Sequence, residues 1–241
     1  MLKFGTSGLR GLVTDMTDKE CYINTLGFLN YLKNSNQVQS GSVVSIAGDL
    51  RTSTDRIMTA CAKAAVDAGC QVENADKIPS PALMAYAMPK KQASIMVTGS
   101  HIPDDRNGIK FNKADGEVLK NDETGILKEV AQVLEKIEDD QSEQSIFDNN
   151  GMFKNDLTSI LPDAIATAKD DYVQRYLLAF NGLSLQNKKI VVDQHSAVGR
   201  DMLVEILEKL GAQVIPDGRT DTLFPKILKI LLKMPKLIFC N

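Results

Sequence analysis

The sequence predicts an α/β protein, because short β-branched runs alternate with amphipathic helical stretches along the chain. Two further observations support this class. Several of the helical stretches end at a glycine, and the strand–helix–strand layout occurs twice. The 241 residues are 43% hydrophobic and 24% charged, which is enough apolar material for a packed core and excludes a disordered chain.

The first strand–helix–strand unit begins with a β-branched strand at residues 43–47, which Asp49 follows. Ser53 or Thr54 is placed to cap the next helix. One face of that helix is apolar and consists of Ile57, Met58, Cys61, Ala65 and Ala68. Gly69 ends the helix, as a glycine commonly does at this position.

Two more strands are predicted at residues 71–75 and 94–98, and a long helix begins near Asp122. Its apolar positions recur at helical spacing and are Ile126, Val130, Val133, Leu134 and Ile137. The polar stretch at residues 138–155 is predicted to connect two domains, with room for a short strand of its own.

The second unit repeats the first, with a strand at residues 189–193, a helix that Gly211 ends, and a strand from residue 212. The helical stripe consists of Met202, Leu203, Ile206, Leu207 and Leu210. Two such units predict two similar domains, at residues 1–150 and 151–241. We expect the second domain to be incomplete, since one such unit cannot cover both faces of a parallel sheet.

Charge and composition exclude several functional classes. A net charge of -3 argues against a general nucleic-acid binder, which would usually be basic. The chain has no apolar run long enough to cross a bilayer, and its first five residues lack the layout of a secretion signal. The 4 cysteines have no zinc spacing, so free thiols and a cytoplasmic location are predicted.

Two polar stretches carry residues that could perform chemistry. Residues 98–111 place Ser100, His101 and Lys110 at the end of a predicted strand, where α/β sheets usually bind ligands. From spacing alone, a polar turn between two strands is the favoured interpretation. Residues 4–11 combine three glycines with hydroxyls and an arginine. They suit either a loop that approaches an anion or a flexible N-terminal arm.

Taken together, these stretches resemble the α-D-phosphohexomutase superfamily of phosphomannomutases and phosphoglucomutases. Residues 4–11 read FGTSGLRG and resemble the family's N-terminal signature, and residues 98–111 read TGSHIPDDRNGIKF and resemble its active-site serine loop. Residues 195–200 read HSAVGR and resemble a second-domain segment of one bacterial branch. The resemblance extends from Leu2 to about Thr222, and Ile102 departs from the more common asparagine. It implies domain I, with a mixed sheet flanked by helices, followed by a truncated domain II.

The resemblance also implies roles for individual residues. Ser100 would carry a phosphoryl group that is exchanged with a hexose phosphate through a hexose bisphosphate, and Mg²⁺ would bind its phosphate. His101 would hydrogen-bond near that phosphate or the sugar. Proton transfer and stabilisation of the transferring group would fall to Lys110 and Arg10. The residues implied in phosphate or substrate binding are Thr6, Ser7, Arg10 and Lys110. Ser7 also favours a hexose phosphate without an amino group.

Nothing after Gly218 resembles the family's aspartate-rich metal loop, its sugar loop or its distal phosphate loop. We therefore expect an incomplete Mg²⁺ site and a chain that is inactive alone. The alternative is a non-catalytic, phosphate-binding or regulatory fragment of a mutase. The basic run at residues 226–241 suits a membrane-binding helix, a terminal helix packed on the sheet, or a change of reading frame, and the last is preferred. Mannose or glucose preference and oligomeric state stay open.

Overall fold

The computed structural model describes residues 2, 4–5, 8–139 and 145–222. A six-stranded mixed sheet forms the first half of the molecule, with the strands β1 Gly8–Leu12, β2 Val43–Gly48, β3 Gln71–Lys77, β4 Ala93–Val97, β5 Arg106–Lys113 and β6 Gly116–Glu117. Their order is β1-β5-β4-β2-β3, with β6 beside β5. β2 pairs parallel with both β3 and β4, while β5 pairs antiparallel with β1, β4 and β6. The mixed α/β class is confirmed.

Helices cover both faces of this sheet. One face packs against α1 (Asp18–Asn34), α2 (Thr54–Asp67) and α4 (Lys120–Asp139), and the other against α3 (Ser80–Ala87). The larger core lies under the three helices, where the rings of Phe28 and Phe111 stack at 4.6 Å. β4 is buried along its whole length, as expected for a strand covered on both faces.

The predicted N-cap position of α2 is correct, but the side-chain capping bond is absent. Ser53 occupies the N-cap position with helical backbone angles and makes no side-chain capping bond. Instead, its Oγ accepts a hydrogen bond from Asn107 Nδ2 at 2.9 Å. The Thr54 hydroxyl donates to Asp49 Oδ1 at 2.8 Å, so both hydroxyls bond to side chains outside the helix. Gly69 ends the helix region at φ +74°, as predicted.

The second unit consists of β7 (Lys189–Asp193), α6 (Arg200–Lys209) and β8 (Gln213–Asp217), with β7 and β8 parallel. Gly211 follows the helix at φ +99°. The helix α5 (Thr167–Ala179) precedes the unit. Together α5 and α6 pack on the α3 side of the large sheet, in a second core that includes Leu83, Met96, Val173, Met202 and Ile206.

The connecting region contains an isolated antiparallel bridge between Phe147 and Phe153. Phe147 meets Tyr22 edge to face at 5.5 Å, and Ala164 forms a parallel bridge with Asn74 of β3. The chain after residue 150 therefore still contacts the first sheet, and the boundary at 150/151 stays a prediction. The basic run at residues 226–241 lies outside the described residues. Among the helices described, none has the length and apolarity needed to cross a bilayer.

Candidate active site

A cleft of about 540 Å³ lies between the large sheet and the second unit. Its floor is at the carboxyl ends of β2 and β4, which is the usual place for ligands in an open α/β sheet. The first unit contributes Asp49, Pro79, Ser80, Pro81, Met96, Thr98, Ser100 and His101. The opposite wall is the turn between β7 and α6 together with Leu203, and includes Gln194, Ser196, Gly199 and Arg200.

Ser100 stands at the mouth of this cleft, on the loop between β4 and β5. Its φ is +56°, in the left-handed region that non-glycine residues seldom occupy. Its backbone N–H donates to Thr98 Oγ1 at 2.9 Å, and its Oγ lies 3.4 Å from His101 Nδ1. Both the serine and histidine are exposed, so the hydroxyl is accessible to a ligand.

Asp49 lies beneath this loop and is 7% exposed. Its Oδ2 accepts hydrogen bonds from the Thr98 hydroxyl at 2.8 Å and from the Gly99 N–H at 3.2 Å. Its Oδ1 accepts from the Thr54 hydroxyl at 2.8 Å. Arg51 binds both oxygens, through its backbone N–H at 3.1 Å and its Nε at 3.2 Å. Five donors therefore surround one carboxylate.

The side chain of Arg51 is fully buried inside the loop. Its two terminal nitrogens donate to four backbone carbonyl oxygens at 2.7–3.1 Å, those of Ser100, Ile102, Pro103 and Arg106. Sequence reasoning missed this arginine. The only local signal was the Asp-x-Arg spacing after a buried strand.

Lys110 lies on β5, the strand next to β4, and Arg10 lies on β1, which pairs with the other side of β5. In the sheet register, Lys110 pairs with Met96 and with Gly8, and Arg10 pairs with Gly108. Because side chains of directly paired residues share a face, both cations lie on the face that carries Met96. Neither is among the residues that line the cleft. Thr6 and Ser7 lie outside the described residues.

Arg200 stabilises the wall of the cleft that the second unit forms, and this arginine is 8% exposed. Its Nη1 donates to the carbonyls of His195 at 3.2 Å and Thr220 at 2.7 Å, and its Nη2 to Asp221 Oδ1 at 2.8 Å. His195 Nδ1 lies 2.8 Å from Ser196 Oγ, so this histidine has a hydrogen-bond partner in the same turn.

The described residues do not fit a complete Mg²⁺ site. Across residues 8–139 and 145–222, no three histidine, cysteine or acidic side chains lie close enough to hold a metal ion. Asp49 is near the serine loop, but its oxygens are already engaged by five donors. Mg²⁺ prefers an octahedral shell of oxygens with several negative charges.

The profile of the family described as "Phosphoglucomutase/phosphomannomutase, alpha/beta/alpha domain I" matches residues 1–138, which include the large sheet and the serine loop. The chain belongs to the phosphoglucomutase/phosphomannomutase family. The resemblance that the sequence motifs indicated is thereby confirmed, including its position in domain I.

Relatives in this family match beyond domain I. A phosphomannomutase of Sinorhizobium fredii (strain NBRC 101917 / NGR234) is 37% identical over 223 residues, 92% of this chain and 44% of that protein. A phosphomannomutase of Salmonella muenchen is 36% identical over 224 residues, 93% of this chain and 42% of that protein. The chain thus spans less than half the length of these family members.

A solved structure of a phosphoglucomutase/phosphomannomutase family protein from Burkholderia thailandensis has the same fold, with a TM-score of 0.65 at 20% sequence identity. The match covers 93% of this chain and 46% of that protein. A match that covers 93% of the chain must extend past residue 138 and include most of the second unit. The family fold therefore extends through both α/β units.

Proposed function

We propose that this chain provides the phosphoserine part of a hexose phosphate mutase, which interconverts hexose 6-phosphate and hexose 1-phosphate of mannose or glucose. The observation that carries the proposal is the position of Ser100. Its hydroxyl is exposed on a left-handed turn at a cleft of about 540 Å³ between two α/β units, in a chain that belongs to a mutase family.

In the proposed reaction, the phosphoryl group moves from Ser100 Oγ to a free hydroxyl oxygen of a hexose monophosphate. The P–Oγ bond breaks, and the serine oxygen keeps the electron pair and takes up a proton. A P–O bond forms to the sugar oxygen, whose proton leaves. The resulting bisphosphate then returns its other phosphoryl group to Ser100. Such transfers depend on positioning and on neutralisation of charge.

We assign the remaining roles as the family resemblance implies them. Lys110 takes the sugar proton, Arg10 neutralises the transferring group, and His101 hydrogen-bonds to the phosphate or sugar. Two observations support the assignment. Lys110 and Arg10 are on the sheet face that carries the cleft residue Met96, and His101 Nδ1 is 3.4 Å from Ser100 Oγ. Thr6 and Ser7 are proposed to bind substrate phosphate from the N-terminal stretch.

A Mg²⁺ ion bound to the Ser100 phosphate would neutralise charge, but it would need further oxygen ligands that the described residues do not group together. We therefore propose that the 241-residue chain accepts one phosphoryl group without sustained turnover. A hexose phosphate substrate and three free, buried cysteine thiols favour a cytoplasmic location, as part of the same proposal.

The test is phosphate uptake from glucose 1,6-bisphosphate or mannose 1,6-bisphosphate, measured by intact mass and peptide mapping. We expect one phosphate on Ser100 and none on the S100A variant. The S196A variant is the matched control, since Ser196 is the second serine of the cleft with a histidine partner. It should still be labelled. Phosphate on S100A at the wild-type level would refute the assignment.

A coupled assay of the same samples with hexose 1-phosphate measures turnover. Sustained turnover in a preparation free of host mutase would contradict the single-transfer proposal. Bisphosphate binding without any label on Ser100 would instead favour the alternative of a non-catalytic, phosphate-binding fragment.

A further inference from the structure

We propose that Arg51, held by Asp49, is the positioning residue for Ser100, and that its guanidinium fixes the loop that carries the serine hydroxyl. The proposal rests on the proposed function of Ser100. Arg51 itself is buried and does not line the cleft, so it acts through the loop and not on a substrate.

The loop that carries Ser100 has few backbone hydrogen bonds of its own. Between β4 and β5, two backbone hydrogen bonds link its residues to one another, from Ile102 N–H to Gly99 O and from Arg106 N–H to Pro103 O, both at 3.2 Å. The guanidinium adds four bonds to carbonyl oxygens of residues 100–106. Arg51 therefore supplies most of the hydrogen bonds that hold this exposed polar segment in one conformation.

The donors of the Arg51 guanidinium match the acceptors of this loop in number. A guanidinium has five N–H donors in a rigid planar fork, and in Arg51 all five have an acceptor, the Asp49 carboxylate or one of the four carbonyls. Lysine would keep the charge beside Asp49, but its three donors share one nitrogen and cannot reach four carbonyls spread over seven residues. The substitution R51K therefore removes the fork while it keeps the ion pair.

Hydrogen bonds link Asp49 and Arg51 to the backbone of Ser100. The Ser100 carbonyl accepts from Arg51 Nη2 at 3.1 Å, and the Ser100 N–H donates to Thr98, whose hydroxyl is bound to Asp49. Both peptide groups of a residue at φ +56° are thus tied to the Asp49–Arg51 pair. Since a displacement of about 1 Å at a reacting group can cost about a hundredfold in rate, loss of this hold should slow phosphoryl transfer.

The test compares R51K with the matched control R56K. Arg56 also binds a buried carboxylate and a backbone carbonyl, Asp18 Oδ1 at 2.7 Å and Met16 O at 2.9 Å, but does not touch the serine loop. Amide hydrogen exchange is measured on the full chain. In R51K we expect exchange at least about tenfold faster at the hydrogen-bonded loop amides, while the sheet amides of β4 keep their protection. These loop amides are Gly99, Ser100, Ile102 and Arg106.

In R56K the loop amides should exchange within about twofold of the wild-type rate. The proposal would be overturned if the loop amides of R51K exchanged at the wild-type rate, or if exchange became faster by the same factor in R51K and R56K. If R51K fails to fold, the variant G99A tests the proposal instead. It keeps Arg51 but adds a Cβ that would lie 2.5 Å from the Cζ and Nε of that arginine, so the guanidinium must shift. Unchanged loop exchange in a folded G99A would overturn the proposal equally.

The functional readout is the rate of phosphate uptake by Ser100 at saturating glucose 1,6-bisphosphate. We expect R51K to lose about a hundredfold in this rate with little change in the bisphosphate concentration at half saturation. An unchanged rate in a variant with an opened loop would overturn the positioning role. If the wild-type chain takes up no phosphate at all, the proposed function fails. The hydrogen-exchange measurement would still test whether Arg51 holds the loop.

Discussion

The Thr98 hydroxyl donates to Asp49 Oδ2 at 2.8 Å, and this bond joins the carboxyl ends of β4 and β2 beneath the candidate site. The same Oγ1 accepts the N–H of Ser100 at 2.9 Å. One hydroxyl therefore connects a buried carboxylate to the backbone of the proposed phosphoserine. No other side chain described accepts a hydrogen bond from this N–H.

The substitution T98V tests this connection, because valine has nearly the shape of threonine without the hydroxyl. It leaves the Ser100 N–H without its acceptor and removes one donor from Asp49, so we expect the free energy of unfolding to fall by about 1–3 kcal/mol. Urea unfolding measures the change. The control T98S keeps the hydroxyl and should cost clearly less. A loss in T98S as large as that in T98V would contradict this prediction, because it would show that the hydroxyl contributes no more to stability than the methyl group does.

A second prediction concerns the contact between α1 and α4 at Gly27. A Cβ on this residue would lie 2.7–2.8 Å from the backbone N and Cα of Val130, and backbone atoms cannot turn aside. We expect G27A to reduce the free energy of unfolding by about 1–3 kcal/mol, although alanine alone favours a helix by up to about 1 kcal/mol. Chemical denaturation is the measurement.

The matched control for G27A is G125A in α4. There the new Cβ would meet atoms of the Tyr31 ring, the nearest at 2.5 Å, and a side chain can rotate where a backbone cannot. G125A should therefore be the less destabilising of the two. A larger loss in G125A than in G27A would contradict this account of the helix contact.

The third prediction follows from Asp122 at the start of α4. Burial alone would raise the pKa of its carboxyl, but hydrogen bonds from the Leu119 N–H, the Tyr31 hydroxyl and Lys113 outweigh it and hold the pKa below the ordinary value of 3.8. A lowered pKa in the folded state means that the carboxylate stabilises the fold above the unfolded pKa. This contribution is lost as the pH falls through the lowered folded pKa.

The measurement is the difference in unfolding free energy between the wild type and D122N from neutral pH down to about pH 3. We expect the wild type to be more stable at neutral pH and the difference to shrink below about pH 4. Y31F should show a smaller pH-dependent difference from the wild type, because it removes one of several partners of the carboxylate. A difference that stays constant over the whole range would contradict the ionic role of Asp122.

Sequence reasoning succeeded where local patterns decide the structure and failed where distant contacts do. The strands β2 and β7 are short β-branched runs, and α2 has a helical apolar stripe that ends at Gly69. β1 was missed because its pairing with β5 depends on a close approach. A Cβ on Gly8 would come within 1.9 Å of the Ile109 carbonyl oxygen. A strand made possible by the absence of a side chain leaves no hydrophobic pattern.

The role of Arg51 could not be predicted for a related reason. Its carbonyl partners lie 49–55 residues away along the chain, on a loop whose polar sequence indicates only a turn. Sequence analysis could propose Ser100 as the phosphoserine because its motif is contiguous. The residue that we propose to position it acts across the sheet from β2 to β4, and only the folded structure places the two together.

The last prediction concerns the cysteines. Burial raises the pKa of the Cys61 thiol to about 12, despite a hydrogen bond from Thr25. Burial also raises the pKa of the Cys21 thiol and that of the Cys70 thiol, which is less completely buried. Because the thiolate is the nucleophile, all three should react with a disulfide reagent at least about a hundredfold more slowly in the native protein than in urea. A C240S background restricts the assay to these thiols.

The order of reaction makes this prediction specific. Cys70 is 7% exposed while Cys21 and Cys61 are 0% exposed, so native-state labelling followed by peptide mass spectrometry should find Cys70 modified first. Cys21 and Cys61 lie in the core under α1 and α2, and their labelling should wait for an opening of that core. Labelling of Cys61 ahead of Cys70 under native conditions would show that the core opens more readily than its packing indicates.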